Sequence, residues 1–194
     1  MDTVVAKYWI TDYKKILHGV QFRYVDRNII SSTLLQLSLE HYESIIRLLE
    51  SGLHGSAFAL LRPQRDAFLR GIWYFRCATD DDLIKFKTGK EPPAINKMLK
   101  QVETTPGYRH GELSTLMADN KNVMHDYTHG GAHQSFTRDK NSRIASGVSL
   151  EQQDWLIRQA LLLSFLTALE LTHVTDDIEK SNELARIFEK IKSP

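Results

Sequence analysis

The sequence contains a single cysteine, Cys77, among its 194 residues, so no disulfide can form within the chain. It also has almost no excess charge, because 25 Lys and Arg residues face 24 Asp and Glu residues. This balance gives no electrostatic reason to expect general binding to duplex nucleic acid or to an anionic membrane. The most apolar stretch, residues 160–171, is interrupted by Ser164, Thr167 and Glu170 and is too short and too polar to span a bilayer. These absences predict a soluble protein with no membrane partner.

Several motifs with known chemistry are also absent. The chain has no phosphate-binding glycine loop, no Gly-x-Ser-x-Gly nucleophile elbow and no paired cysteines for zinc. It does not contain the two Glu-x-x-His pairs that a ferritin-like di-iron site needs. We therefore expect no cofactor and no bound metal. The first residues show no signal peptide, which together with the lone cysteine predicts a cytoplasmic location.

Helical periodicity is the main positive signal. Apolar residues recur at spacings of three and four in most segments, and no strand-like alternation or internal repeat competes with this pattern. The sequence therefore predicts an all-α fold, a single helical bundle of five to seven helices. We expect one domain over residues 1–194, with a core at about 29–175 and a C-terminal helix at about 176–192.

The second half of the chain carries clear helix boundaries. The segment 112–129 is predicted to form one helix, since its apolar residues share a stripe: Leu113, Met117, Met124 and Tyr127. The polar residues 133–147 are predicted to form a surface loop. Ser149 and Gln152 have the spacing of a capping box, which predicts the start of a long apolar helix ending near His173.

A third predicted helix, at about 55–78, contains an unusual cluster. Its apolar seam consists of Phe58, Leu61, Phe68, Ile72 and Phe75, with Arg65 in the place between Leu61 and Phe68. Pro63 lies within this pattern, so either the helix continues through Pro63 with a kink, or a helix starts at Pro63.

Arg62, Arg65 and Asp66 surround this proline. An unpaired charge on an apolar seam would cost several kcal/mol, so we expect the Arg65 guanidinium to be buried with an anionic or carbonyl partner. One interpretation is an ion pair that only stabilises the bundle. The other is a cationic site for a ligand.

A second polar cluster ends the predicted helix 112–129. Asn122, His125 and His129 lie along one strip of the helix with Asp126 beside it, and Gly130-Gly131 follows. Two histidines one turn apart can ligate a metal, or act as base and acid on a phosphodiester. Histidines at a helix end also interact favourably with the helix dipole, which would be a purely structural role.

Two stretches carry a family resemblance: Leu53-His-Gly-Ser-Ala-Phe-Ala-Leu-Leu-Arg-Pro63 and Met124-His-Asp-Tyr-Thr-His-Gly-Gly131. They resemble an uncharacterised family of bacterial all-helical proteins, which in turn resembles the HEPN superfamily. The resemblance implies an all-helical fold, a homodimer and RNA as the ligand, with metal-independent RNA cleavage as the activity. It also implies a place in a toxin or phage-defence module with a cognate partner protein.

The HEPN catalytic pattern is an arginine, usually followed by a polar residue, with a histidine four to six residues further on. Here Met124 stands where that arginine should be. The resemblance then implies that Arg62 or Arg65 supplies the cation from the neighbouring helix. The implied catalytic residues are His129, His125, Arg62 and Arg65. The implied supporting residues are Asp66, Asn122, Asp126, Gly130 and Gly131.

The missing arginine leaves two alternatives open. The chain can be a catalytically inactive module of the same fold that serves interaction or dimerisation. A further alternative is a metal-dependent phosphohydrolase, because His125-Asp126 matches the histidine-aspartate dyad of that class. Such an enzyme also needs a distant histidine and aspartate, for which His54 and Asp176 are the candidates.

Overall fold

The computed structural model describes residues 3–118, 121–136, 138–140, 143–144 and 147–192. These residues form ten α-helices and one antiparallel pair of two-residue strands. The helices are α1 (Thr3–Leu17), α2 (Asp26–Glu50), α3 (His54–Arg76), α4 (Asp80–Lys87), α5 (Ile95–Val102), α6 (Glu112–Ala118), α7 (Lys121–His129), α8 (Ala132–Phe136), α9 (Leu150–Val174) and α10 (Ile178–Lys192). The strands are β1 (Asp139–Lys140) and β2 (Arg143–Ile144).

The all-α prediction is confirmed, but the prediction of five to seven helices is wrong for the described part of the chain. Within residues 112–129 the structure describes α6 and α7, and the two residues between them lie outside its described part. The predicted apolar stripe is buried, since all four of its side chains are in the core: Leu113, Met117, Met124 and Tyr127. The polar stretch 133–147, predicted as a loop, contains most of α8 together with β1 and β2.

Helix α3 is continuous through Pro63, which settles the choice between the two predicted arrangements. Proline has no backbone N–H, so the carbonyl of Ala59 loses the donor that would normally close its turn. The turn is retained because α3 is packed on several sides, against α2, α5, α7 and α9. Pro63 therefore does not end α3.

Helices α2 and α3 are joined by small side chains that allow close approach. Ser31 Oγ donates to the carbonyl of Gly71 at 2.9 Å, and Ser38 Oγ donates to the carbonyl of Gln64 at 3.0 Å. A Cβ atom at Gly71 would lie 2.8 Å from Leu35 Cγ, so this crossing needs glycine. The relative position of the two helices is consequently well determined.

The first and last helices complete the core. Trp9 of α1 is fully buried, and its Nε1 donates to Ser164 Oγ of α9 at 2.8 Å. Its ring contacts Phe165 and Phe188, which stack on each other with centroids 3.8 Å apart. The hydrophobic core therefore extends beyond residues 29–175 and includes both α1 and α10.

Helix α9 is the one described helix that is long and apolar enough to cross a membrane by length and composition. A buried core helix meets the same criteria, and 56% of the apolar window of α9 is buried in the bundle. It packs against α2, α3 and α10, which accounts for its apolar residues on most sides.

Candidate functional site

The structure brings together Arg62 of α3 and His129 at the end of α7. Arg62 Nη1 lies 3.2 Å from His129 Nε2. A guanidinium can only donate hydrogen bonds, so His129 Nε2 is the acceptor and a neutral imidazole carries its proton on Nδ1. The two residues come from the two separate sequence clusters, which therefore share one surface.

This pair lines an open cleft of about 370 Å³. Three helices form it, with α3 between α2 and α7. Its lining residues are Leu34, Leu37 and His41 from α2; Arg62, Pro63, Asp66, Ala67 and Arg70 from α3; and Thr128 and His129 from α7. The lining combines four apolar side chains from α2 and α3 with two guanidinium groups, two imidazoles, one carboxyl group and one hydroxyl group. Such a composition suits an anion attached to an apolar or aromatic body.

Asp66 is the carboxyl group of the cleft. Its Oδ2 lies 3.9 Å from Arg62 Nε, one helical turn away. Burial raises the pKa of Asp66, and the neighbouring guanidiniums of Arg65, Arg62 and Arg70 only partly oppose this effect. Because these guanidiniums outnumber the carboxyl group, the neighbourhood of Asp66 keeps net positive charge.

Arg65 takes a different place from the one implied for a catalytic residue. Its side chain is only 7% exposed, and Nη1 donates to the carbonyl of Met117 in α6 at 2.6 Å. Its buried Nε has no hydrogen-bond partner, and burial lowers the pKa of the guanidinium. The predicted burial and carbonyl partner are confirmed. However, Arg65 does not line the cleft and instead holds α6 against α3.

The double glycine positions the end of α7. Gly130 adopts a left-handed φ of +66°, and the Gly131 amide donates to the Asp126 carbonyl at 2.9 Å, closing the helix end. Any Cβ at Gly131 would collide with the Asp126 carboxylate. That carboxylate accepts a hydrogen bond from the Gln134 amide at 2.7 Å and so caps the first turn of α8. Asp126, Gly130 and Gly131 thus support the position of His129.

Asn122 and His125 belong to α7, but their side chains lie outside the described part of the structure. The structure therefore makes no statement about the second predicted histidine. Among the residues that it does describe, no group of three or more His, Cys, Asp or Glu residues is placed to hold a metal ion.

Sequence reasoning missed two residues of the cleft, His41 and Arg70. Arg70 follows Arg62 and Asp66 at steps of four residues, so helical spacing alone places the three on one stripe of α3. Its buried Nε has no hydrogen-bond partner, and its Nη2 lies 3.9 Å from the exposed Glu91. His41 carries a weaker signal, because nothing in its sequence neighbourhood indicates a contact with α3.

A second polar cluster, also missed, joins α3, α9 and the segment before α6. Glu170 is 2% exposed and accepts hydrogen bonds from Arg76 and from Tyr108 Oη, while His173 Nδ1 lies 3.4 Å from Glu170 Oε1. Burial alone would raise the pKa of Glu170, but His173 and Arg76 hold it below its ordinary value. Arg76 Nη1 also donates to the carbonyl of Pro106. This group is well paired and stabilises the fold.

Another cleft of about 370 Å³ lies between α1, α2 and the end of α9. The described residues of its lining include no charged or titratable side chain: Leu17, Val20, Phe22, Ser32, Thr33, Gln36, Leu171 and Thr175. Proton transfer by side chains is therefore better supported at the cleft of Arg62 and His129.

Comparison with known proteins adds one match. A family model described as "Family of unknown function (DUF6988)" matches residues 35–193. Neither the curated proteins nor the solved structures contain a match. The matched range covers most of the chain and includes His41, Arg62 and His129. The chain therefore belongs to the DUF6988 family.

Proposed function

We propose that this protein binds RNA at the cleft of Arg62 and His129 and cleaves it without a metal ion. The single observation that supports the proposal is the 3.2 Å approach of Arg62 Nη1 to His129 Nε2 between α3 and α7. A guanidinium beside an imidazole offers a phosphate-binding group and a proton acceptor at the same place.

The proposed reaction uses the ribose 2′-hydroxyl as nucleophile. His129 Nε2 accepts the 2′-hydroxyl proton while the 2′-oxygen bonds to phosphorus and the bond to the 5′-oxygen breaks. The 5′-oxygen leaves with a proton, so the products are a 2′,3′-cyclic phosphate and a 5′-hydroxyl end. Arg62 stabilises the charge that develops on the phosphate oxygens.

The hydrogen bond between the two residues fits a resting state of such a site. While Arg62 donates to His129 Nε2, the lone pair that would accept a proton is occupied. A phosphate entering the cleft competes for the guanidinium, since charge-assisted bonds to an anion are stronger than a bond to a neutral imidazole. Substrate binding would thereby release the base.

We further propose that the all-helical fold is HEPN-like and that Arg62 replaces the arginine missing at Met124. Met124 is buried, so the position itself faces the core and not the cleft. A homodimer and a cognate partner protein in a toxin or phage-defence module belong to the same proposal. Light scattering at micromolar concentration tests the dimer, and a clean monomer would contradict it.

The test is cleavage of single-stranded RNA of mixed sequence by the purified protein, with and without chelator. We expect cleavage that resists chelator and leaves a 2′,3′-cyclic phosphate, and we expect no cleavage by His129→Ala. His18→Ala is the matched control, because His18 is an exposed histidine directly after α1 and does not line the cleft. Loss of activity to chelator would favour the metal-dependent phosphohydrolase.

The inactive interaction module is the second candidate, and the buried Met124 favours it. In that case no RNA is cut under any condition, and the variants at Arg62 and His129 change only the affinity for a partner. The cleavage assay therefore separates the two candidates directly.

A further inference from the structure

Among the cleft residues that the structure describes, His41 is the one imidazole that belongs to neither sequence cluster. It lies on α2, off the buried seam formed by Leu35, Leu39, Tyr42, Ile46 and Leu49. It shares a different stripe with Leu34 and Leu37, and all three line the cleft with Arg62 and His129. The fold thus brings a second imidazole to the proposed reaction site.

The position of His41 relative to Arg62 is set by tight packing. Ser38, one turn before His41, donates from Oγ to the carbonyl of Gln64 at 3.0 Å, and Gln64 is two residues after Arg62. Gln64 Nε2 in turn donates to the carbonyl of Ala160 in α9 at 2.9 Å. These buried bonds hold α2 and α3 together close to the cleft, so His41 stands on a rigid element.

The arrangement of the helices places the two imidazoles on different sides. Helix α3 supplies the central strip of the cleft, while His41 comes from α2 and His129 from α7. In an in-line displacement at phosphorus, the attacking and leaving oxygens lie on opposite sides of the phosphorus atom. A base and an acid that serve these two oxygens must therefore come from opposite sides of the phosphate.

We propose that His41 is the general acid of the cleft, a second catalytic residue that protonates the leaving 5′-oxygen while His129 acts as the base. This inference rests on the proposed RNA cleavage. We assign the base to His129 because its Nε2 accepts the hydrogen bond from Arg62, and a nitrogen that accepts carries no proton of its own. The bond between phosphorus and the 5′-oxygen breaks as His41 gives its proton to that oxygen. Afterwards His41 takes a proton from solvent, and His129 releases to solvent the proton that it accepted.

Charged groups from two other helices line the cleft together with His41. They are Arg62, Asp66 and Arg70 from α3 and His129 from α7, and Glu40 is beside His41 on α2. Burial lowers the pKa of His41, while Glu40 opposes the shift. The imidazolium is therefore a stronger acid than an exposed one, and the negative charge of a bound phosphodiester favours its protonated form.

The experiment compares two forms of one RNA that the native protein cuts. The bond that the native protein cuts is mapped first. One RNA has the normal 5′-oxygen at that bond, and the other has sulfur in place of this 5′-oxygen. A thiolate leaves without a proton, so only the normal substrate needs the general acid. The variants are His41→Gln and His129→Gln, with His18→Gln as the exposed-histidine control. Circular dichroism and thermal unfolding establish that each variant is folded.

We expect His41→Gln to cut the normal RNA at least about 100-fold more slowly and the sulfur-containing RNA within about 3-fold of the native rate. His129→Gln should slow both substrates by similar factors, and His18→Gln neither. Equal losses on both substrates, or a native rate for His41→Gln, would overturn the role of His41 while RNA cleavage by the native protein still stands. If the native protein cuts neither substrate, the proposed function fails and the acid role fails with it.

Discussion

Arg76 of α3 and Glu170 of α9 form a two-bond ion pair in the interior, with Nε–Oε2 at 3.0 Å and Nη2–Oε1 at 2.8 Å. Tyr108 Oη donates to the same carboxylate at 2.9 Å, and the Arg76 guanidinium lies over the Tyr108 ring. The pair and its tyrosine connect α3 and α9 to the chain before α6. It therefore supports the fold at the C-terminal end of α3, whose last residue is Arg76.

Arg76→Ala should lower the free energy of unfolding by about 3–5 kcal/mol, because Glu170 would remain buried without its cation. Urea unfolding at pH 7 measures the change. Arg158→Ala is the matched control, since it breaks the exposed ion pair of Arg158 with Asp154 on α9 and should cost no more than about 1 kcal/mol. Equal losses in the two variants would contradict the structural role of Arg76.

The stability that Glu170 contributes should depend on pH. Its pKa in the folded protein lies below the ordinary value of 4.5, so its contribution is fully present above about pH 4.5 and is lost as pH falls through the lowered folded value. The free energies of unfolding of the native protein and of Glu170→Gln should therefore differ most at neutral pH and approach each other in acid. A difference that grows on acidification would mean that the folded pKa is raised.

Asp126 and Gly131 should stabilise the fold through the same interaction, the cap of α8. Asp126→Ala removes the cap of α8, and Gly131→Ala displaces the same carboxylate, so each should cost about 0.5–2 kcal/mol. The double variant should cost about as much as either single one, because both remove one interaction. Additive losses in urea unfolding would show that the glycine and the carboxylate are independent.

The neighbouring residues Arg62 and Arg65 should separate activity from stability. Arg65→Met leaves the Met117 carbonyl without its donor and should cost about 1–3 kcal/mol of unfolding free energy, with RNA cleavage retained at a temperature where the variant is folded. Arg62→Met should leave stability within about 1 kcal/mol, since its ion pair with Asp66 is loose and partly exposed, but should abolish cleavage. Loss of cleavage in Arg65→Met alone would reverse the assignment.

Much of the local structure follows from sequence patterns. The Ser149–Gln152 capping box begins α9 as predicted, with Ser149 Oγ accepting from the Gln152 amide at 3.1 Å. Thr79 caps α4, and Gly52 follows α2 with a left-handed φ of +71°. The residues that interact in these motifs are only a few positions apart, so the sequence alone is enough to predict them.

The candidate site was predictable only in part. The clusters around Arg62 and His129 are visible as polar groups near a proline and a double glycine, and the structure places those two residues in contact. Arg62 lines the cleft, Arg65 is buried against α6, and His41 of α2 also lines the cleft. These positions depend on which side of α3 meets α2 and α6. Residue spacing within one helix contains no information about that choice.

Local chemistry in the chain decides where several of the helices begin or end, as the capping boxes of α4 and α9 and the glycine after α2 show, because capping and glycine conformation are interactions between near neighbours. The tertiary structure alone decides that Arg62 faces a histidine while Arg65 faces a carbonyl, and that Glu170 meets Arg76 inside the bundle. Buried charges are tolerable only where packing supplies partners from distant segments. The partners of these charged residues are therefore a property of the assembled helices.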